Sequence, residues 1–359
     1  MTNPDFRTLL TSRQGIVCGK DCLNKGFVSI EECLECAGPK NVRCIPSNLL
    51  LLHAVKEGSD YYSRKVGEYH VSDFVSCPAE FLFKNYIGYF YKPKSLWNMI
   101  FGTSAHDLFN QYELSNPISE GKLEYVFESE GRKIAAVGSQ DGYFPSLSLE
   151  MFRDVEERLY NDNFDDNVYD GSGVLQGVLL ERKTAAKIDN VFYKPKDIHV
   201  LQETAYIALR EKEDVNWVMT TYLEKPFGRC VNLIMPVLYY GSEKHKAAGK
   251  ELLGKSLVVN RAEMKAKIEK RLSTFEHCLT HREFPYRFPN FQVQCTWCDF
   301  RDVCKPTPNV PITDTATLED WIAKWIKTLR VSERFFDDPD ASNMKVIAER
   351  WPRSDSSGR

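Results

Sequence analysis

The sequence has no apolar run approaching the ~20 residues that span a bilayer, and its opening stretch, Met1-Thr2-Asn3-Pro4-Asp5-Phe6-Arg7, lacks the apolar segment of a signal peptide. The expectation is a cytoplasmic protein with no membrane partner. A charge excess of one sign is missing too, because 47 Lys and Arg against 50 Asp and Glu leave a net charge of −3. That total does not select a partner, but its unevenness is informative. Residues 244–271 hold nine Lys or Arg against three Glu, whereas residues 150–170 hold eight Asp or Glu against two Arg. No internal repeat is present. The signals of a disulfide framework are also lacking: the eleven cysteines are odd in number and no secretion signal accompanies them. Seven of them sit in C-x2-C, C-x3-C or C-x5-C spacings, which favours metal binding in a reducing compartment.

What is present starts with size. At 359 residues, 43% hydrophobic and 27% charged, the chain can bury one large core or two modest ones. Residues 1–60 carry Cys18, Cys22, Cys33, Cys36 and Cys44 and little apolar periodicity, so they read as a small cysteine-rich, metal-stapled module. Residues 61–310 read as the main domain, with an acidic insertion near 145–173, and residues 311–359 as a final helix starting at Thr317 and a tail. Within the main domain, residues 79–91 are helix-compatible, and a further helix is expected to open at Gly102 with Thr103 or Ser104 as its cap. Residues 123–128, 133–138, 174–180, 217–223 and 231–240 read as strands, and 198–209 and 261–281 as helices. The pattern is α/β.

The chemistry-bearing residues fall around these elements. Asp141 follows the strand 133–138, and Glu181-Arg182-Lys183 is expected to end the strand 174–180, a D…ExK arrangement. On extended chain Glu181 and Lys183 project to one side, because side chains repeat every two residues. Two carboxylates with a neighbouring lysine are what metal-dependent phosphodiester hydrolysis needs: ligands for the ion and a cation to orient water. His106 offers a nitrogen ligand, which suits manganese better than magnesium, and the backbone carbonyl of Arg182 is a further candidate ligand. Gln202 and Tyr206, four apart on one helix, share a face. Near the C-terminus, Cys295, Cys298 and Cys304 form C-x2-C-x5-C, which lets three thiolates converge on one soft metal centre while a fourth, Cys77, arrives from far away.

Taken in order, Cys77-Pro78, Gly102-Thr103-Ser104-Ala105-His106, Asp141, Glu181-Arg182-Lys183, Gln202-x3-Tyr206 and Cys295-x2-Cys298-x5-Cys304 resemble the RecB-like branch of the PD-(D/E)XK nucleases, and within it the iron-sulfur exonucleases of the CRISPR-associated and AddB types. The resemblance covers about residues 69–306. It implies a restriction-endonuclease-like core, a mixed central sheet flanked by helices, closed by a four-cysteine metal cluster. It further implies a DNA exonuclease that takes Mn2+ or Mg2+ and prefers single-stranded ends. His106, Asp141, Glu181 and the Arg182 carbonyl would be metal ligands, Lys183 the catalytic lysine, and Gln202 and Tyr206 the supporting motif. Cys77, Cys295, Cys298 and Cys304 would hold a 4Fe-4S cluster. The implied partners are DNA and either CRISPR integration proteins or a helicase, in spacer acquisition, repair or recombination. The N-terminal cysteine module and the acidic insertion depart from the compact family pattern.

Competing readings attach to several of these residues. Four cysteines at such spacings also suit zinc, and zinc is the expected ion for Cys18, Cys22, Cys33 and Cys36. A nucleic-acid-binding assembly module with little cleavage of its own is the alternative to an enzyme. Gly249-Lys250-Glu251-Leu252-Leu253-Gly254-Lys255-Ser256 satisfies the P-loop expression of an ATPase, yet its interior is helix-forming and Leu257-Val258-Val259 is strand-like where a phosphate-cradling helix would begin. The lysines of this region are better placed to neutralise a nucleic-acid backbone.

Overall fold

Strand-forming alternation and helical apolar spacing each appear in the computed structural model, which describes residues 14–18, 26–36, 44–46, 50, 66–86, 89–91, 93–112, 122–148, 173–185, 187–191, 195–212, 214–225, 230–281, 295, 298 and 300. In chain order these form β1 (Gln14–Cys18), β2 (Gly26–Ser29), α1 (Ile30–Glu35), β3 (Glu68–His70), α2 (Val71–Val75), α3 (Pro78–Tyr86), β4 (Tyr89–Tyr91) and α4 (Pro93–Tyr112). There follow β5 (Lys122–Ser129), β6 (Arg132–Ser139), β7 (Gly142–Ser148), β8 (Val174–Ala185), α5 (Asp197–Leu209), β9 (Trp217–Glu224) and β10 (Cys230–Tyr239). The last are α6 (Glu243–Ala247), α7 (Lys250–Lys255), β11 (Leu257–Val259) and α8 (Arg261–His281). No described helix is long and apolar enough to cross a membrane. The chain divides into two units, one of residues 1–68, 76–100 and 273–359, the other of residues 69–75 and 101–272.

In the first unit, β2-β1-β4 form a small sheet in which β1 pairs antiparallel with β2 and parallel with β4. Ile16, Ile30, Ile45, Leu50 and Leu96 make an apolar cluster, with Cys33, Leu34, Met99 and Ile100 packed against it. This module, expected to depend on a metal staple, thus also buries aliphatic side chains, at roughly 1.5–3 kcal/mol for each one fully removed from water. The expected helix over residues 79–91 stops at Tyr86, and Tyr89–Tyr91 is strand β4. The aromatic run suits a pleated chain and finds β1 as its partner. Phe81 stacks on Phe275 at 4.2 Å and Phe83 on Phe300 at 5.4 Å.

The second unit holds a five-stranded mixed sheet, β11-β10-β9-β8-β7, and a three-stranded sheet, β3-β6-β5. In the larger sheet β8 and β9 run parallel, as do β10 and β11, while β7–β8 and β9–β10 are antiparallel. A parallel pair needs a crossover, and α5 supplies it between β8 and β9. One apolar cluster unites Leu147, Leu175, Val178, Leu180 and Met219, and another Ala185, Ile188, Val191, Tyr222, Val231 and Leu233. Every residue of α5 from Glu203 to Leu209 is buried.

Three further expectations are corrected here. Helix α4 starts at Pro93, ten residues before Thr103, so neither Thr103 nor Ser104 is a cap; proline is favoured at a first helical position, where its missing N–H has no partner to lose. Strand β8 runs to Ala185, so Glu181 and Lys183 lie within it and not at its end. The start of the acidic insertion, residues 145–148, belongs to strand β7, which the sequence hides behind Pro145. Proline is tolerated there because β7 is an edge strand. Opposite it the ladder breaks at Gly177, whose φ is +67°. A Cβ at Gly177 would sit 2.1 Å from the carbonyl oxygen of Asp214, a backbone atom that cannot give way, so no other residue fits.

Candidate active site of the five-stranded sheet

Asp141, Glu181 and Lys183 converge through backbone geometry. The β7–β8 ladder pairs Gly142 with Leu180, which sets Asp141, one residue earlier, beside Glu181 and Arg182. The Asp141 carboxylate accepts the Arg182 backbone N–H, with 2.6 Å between Oδ2 and N. In a strand the N–H and C=O of one residue lie on the same edge, so the Arg182 carbonyl is directed to the side from which Asp141 approaches. Lys183 Nζ makes an ion pair with Glu181 Oε1, as their two-residue spacing allows. Glu181 Oε2 is buried with no hydrogen-bond partner among the described residues. Such an orphaned oxygen, in a carboxylate only 2% exposed, departs from the rule that buried polar groups are hydrogen-bonded.

Sequence reasoning missed a second rank of residues behind this one. In the parallel ladder Thr220 lies beside Glu181 and Tyr222 beside Lys183, so β9 extends the same face. Helix α5 packs two residues onto it, one turn apart. Glu203 accepts a hydrogen bond from Thr220 Oγ1, and His199 Nδ1 meets the Tyr222 hydroxyl at 2.8 Å. Tyr222 also accepts the Lys196 backbone N–H at 3.1 Å, which leaves its own proton to donate to His199. The one signal in the sequence was a glutamate at 203 just before the apolar run of residues 205–209.

The same helix braces the loop that carries Asp141. Gln202 Nε2 donates to the Tyr206 hydroxyl at 2.8 Å, so the two expected members of the supporting motif act as a pair. Tyr206 lies so near Gly138 that a Cβ there would stand 2.7 Å from the phenol ring. At the end of α5, Arg210 makes a two-pronged ion pair with Asp214, at 2.9 and 2.7 Å, and donates to Gln140 Oε1 at 3.1 Å. Its guanidinium lies 4.2 Å from the centre of the Tyr143 ring. Residues 138, 140 and 143, on both sides of Asp141, are therefore all held by α5 or the residue that ends it.

The electrostatics follow from burial. Desolvation lifts Glu181 to about 8, against the opposing pull of Lys183 and with added repulsion from Asp141 and Glu203. Glu203 is lifted to about 7 by desolvation, offset by the Thr220 hydrogen bond and the Lys183 charge. His199 is lowered to about 3, first by burial and then by Lys183 and Lys196, and is therefore neutral. Tyr206 is raised by burial and by the negative charge of Glu181 and Asp141. Burial thus favours the protonated form of both glutamates, and Lys183 opposes that in each.

Of the other expected ligands, His106 lies in α4, four residues after Gly102, whose added Cβ would approach Thr184 Oγ1 at 3.6 Å; the His106 side chain lies outside the described residues. In the first unit, Cys77 immediately precedes α3 and its carbonyl accepts the Phe81 N–H at 3.0 Å. Cys298 is raised to about 12, chiefly by burial and then by the nearby charges of Glu80 and Cys77. Cys77 and Cys298 fall in the same unit although far apart in the chain. Cys295 is half-buried, and Cys304 lies outside the described residues. Among the N-terminal cysteines, Cys33 lies in α1 against the apolar cluster, Cys36 is half-buried just beyond it and Cys44 is exposed. Cys22 and the Cys18 side chain lie outside the described residues.

The P-loop-like stretch takes the opposite order from a nucleotide site. Gly249 is the N-cap of α7, whose interior is Lys250–Lys255, and strand β11 follows it. A phosphate cradle needs a strand, a loop and then a helix.

No family model matches the chain, and no curated protein matches it. Among solved structures, the crystal structure of SSO0001 is similar over 69% of this chain and 90% of that chain, with a TM-score of 0.41 and 14% identity.

Proposed function

We propose that this protein is a metal-dependent DNA exonuclease with a PD-(D/E)XK core that acts on single-stranded ends. The observation that carries the reading is the convergence of Asp141, Glu181 and Lys183, with Glu181 Oε2 buried and unpartnered among the described residues. Oxygen donors of this kind suit Mg2+ or Mn2+. Asp141, Glu181 and the Arg182 carbonyl would hold the ion, with His106 as the added ligand that favours manganese. When bound, the ion supplies positive charge against that developing on the phosphate. Lys183, paired with Glu181 in the absence of the ion, orients the attacking water. Gln202 and Tyr206 hold the loop around Asp141 through contact with Gly138.

The placement of Cys77, Cys295 and Cys298 in one unit supports a metal site made of Cys77, Cys295, Cys298 and Cys304, which we read as a 4Fe-4S cluster with a structural role. Processing of DNA ends for CRISPR spacer acquisition, or for repair with a helicase, is the setting this reading proposes.

The test is cleavage of end-labelled single-stranded DNA by anaerobically purified protein with Mn2+, comparing wild type with Lys183→Ala. Degradation by wild type and none by the variant is expected. Inactivity of both would turn the reading to a nucleic-acid-binding module.

A further inference from the structure

Glu203 is 0% exposed, and a carboxylate in that position costs several kcal/mol unless its oxygens are used. One of them accepts from Thr220, while Oε2 has no hydrogen-bond partner among the described residues. Glu181 shows the same division: one oxygen on Lys183, the other orphaned. Thr220 stands directly beside Glu181 in the β8–β9 ladder, so Glu203, bonded to Thr220, packs on the sheet face that carries Glu181. The Lys183 charge acts on Glu203 as well as on the glutamate it touches. Lys183 thus has two carboxylates within electrostatic reach and is bonded to one.

We infer that Glu203 is a positioning residue that takes over Lys183 from Glu181 when Glu181 turns to a divalent cation. The inference rests on the nuclease reading of the site. Glu181 carries one negative charge, and a bound divalent ion claims most of it while repelling the ammonium. A second buried anion behind Lys183 keeps the lysine in the pocket and frees Glu181 for the metal. Without that anion, Lys183 stays on Glu181 and competes with the ion.

Mn2+ binding, followed by the EPR signal of the free ion with no DNA present, reads this directly. Glu203→Gln keeps the side-chain shape and an oxygen for the Thr220 hydroxyl, and should weaken Mn2+ binding about tenfold. Adding Lys183→Met should restore wild-type affinity or better, because the competing ammonium is gone. Thr220→Ala, which removes the hydrogen bond but keeps both charges, should leave affinity within about twofold. Glu203→Gln binding like wild type would overturn the inference and leave the nuclease reading standing. So would a loss that Lys183→Met fails to rescue, since a merely structural role predicts no rescue. A wild type that binds no Mn2+ would overturn both.

Discussion

Asp141 accepts the backbone N–H of Arg182, the residue between Glu181 and Lys183, at 2.6 Å. One carboxylate thereby ties the loop after β6 to the strand that carries both other members of the site. Asp141→Ala is expected to lower Mn2+-dependent cleavage at least about 100-fold. It should also cost about 1–3 kcal/mol, because the Arg182 N–H loses its partner. Single-turnover rates and urea midpoints measure the two effects separately, and full activity would remove Asp141 from the site.

Burial of Glu181 predicts an unusual pH dependence of the metal-free protein. Its carboxyl is raised from the ordinary 4.5 to about 8, so between those values the folded state holds more protons than the unfolded one. Stability must therefore fall as pH rises through that window. Glu203, raised to about 7, acts in the same direction. Thermal melting of metal-free protein from about pH 5 to 9 should show a falling Tm, with a shallower fall in Glu181→Gln. A Tm that rises with pH, or an unchanged slope in the variant, would contradict the burial argument.

Gly138 leaves room for Tyr206, and a Cβ there would stand 2.7 Å from the ring. Gly138→Ala is expected to destabilise by about 1–3 kcal/mol through overpacking. Combined with Tyr206→Leu, the cost should be smaller than the sum of the two single changes, since the clash is shared. Additive effects in chemical denaturation would show that the two positions do not press on one another.

Cys298→Ala should lower both bound iron and thermal stability, because a lost metal ligand removes folding free energy. Cys230 serves as the control: its thiol is raised to about 11 by burial alone. Cys230→Ala should leave the iron content unchanged. Elemental analysis of the two variants purified under nitrogen decides the matter, and equal iron in both would argue against a cluster ligand at Cys298.

The order of motifs along the chain was enough to bring Asp141, Glu181, Lys183, Gln202 and Tyr206 to attention, because strand alternation and helical i,i+4 spacing are local rules. Strand β7 escaped because Gly142 and Pro145 are strand-breaking residues, tolerated here only by an edge position opposite Gly177. The length of β8 escaped because charged residues such as Glu181 and Lys183 conventionally mark a strand's end, and in this fold β9 continues the ladder past them to Ala185 and Glu224. Neither fact is contained in a short window of residues.

Local pattern by itself determined the helices over α5 and α8, the β5–β6 and β9–β10 strands, and the pairing of Glu181 with Lys183 on one face. Tertiary structure alone decided that Thr220 stands beside Glu181, that Glu203 and His199 form a second rank, and that Cys77 and Cys298 share one unit. The reason is physical: periodicity sets where a side chain points from its own backbone, whereas register and burial set which distant charge it meets and what that meeting costs.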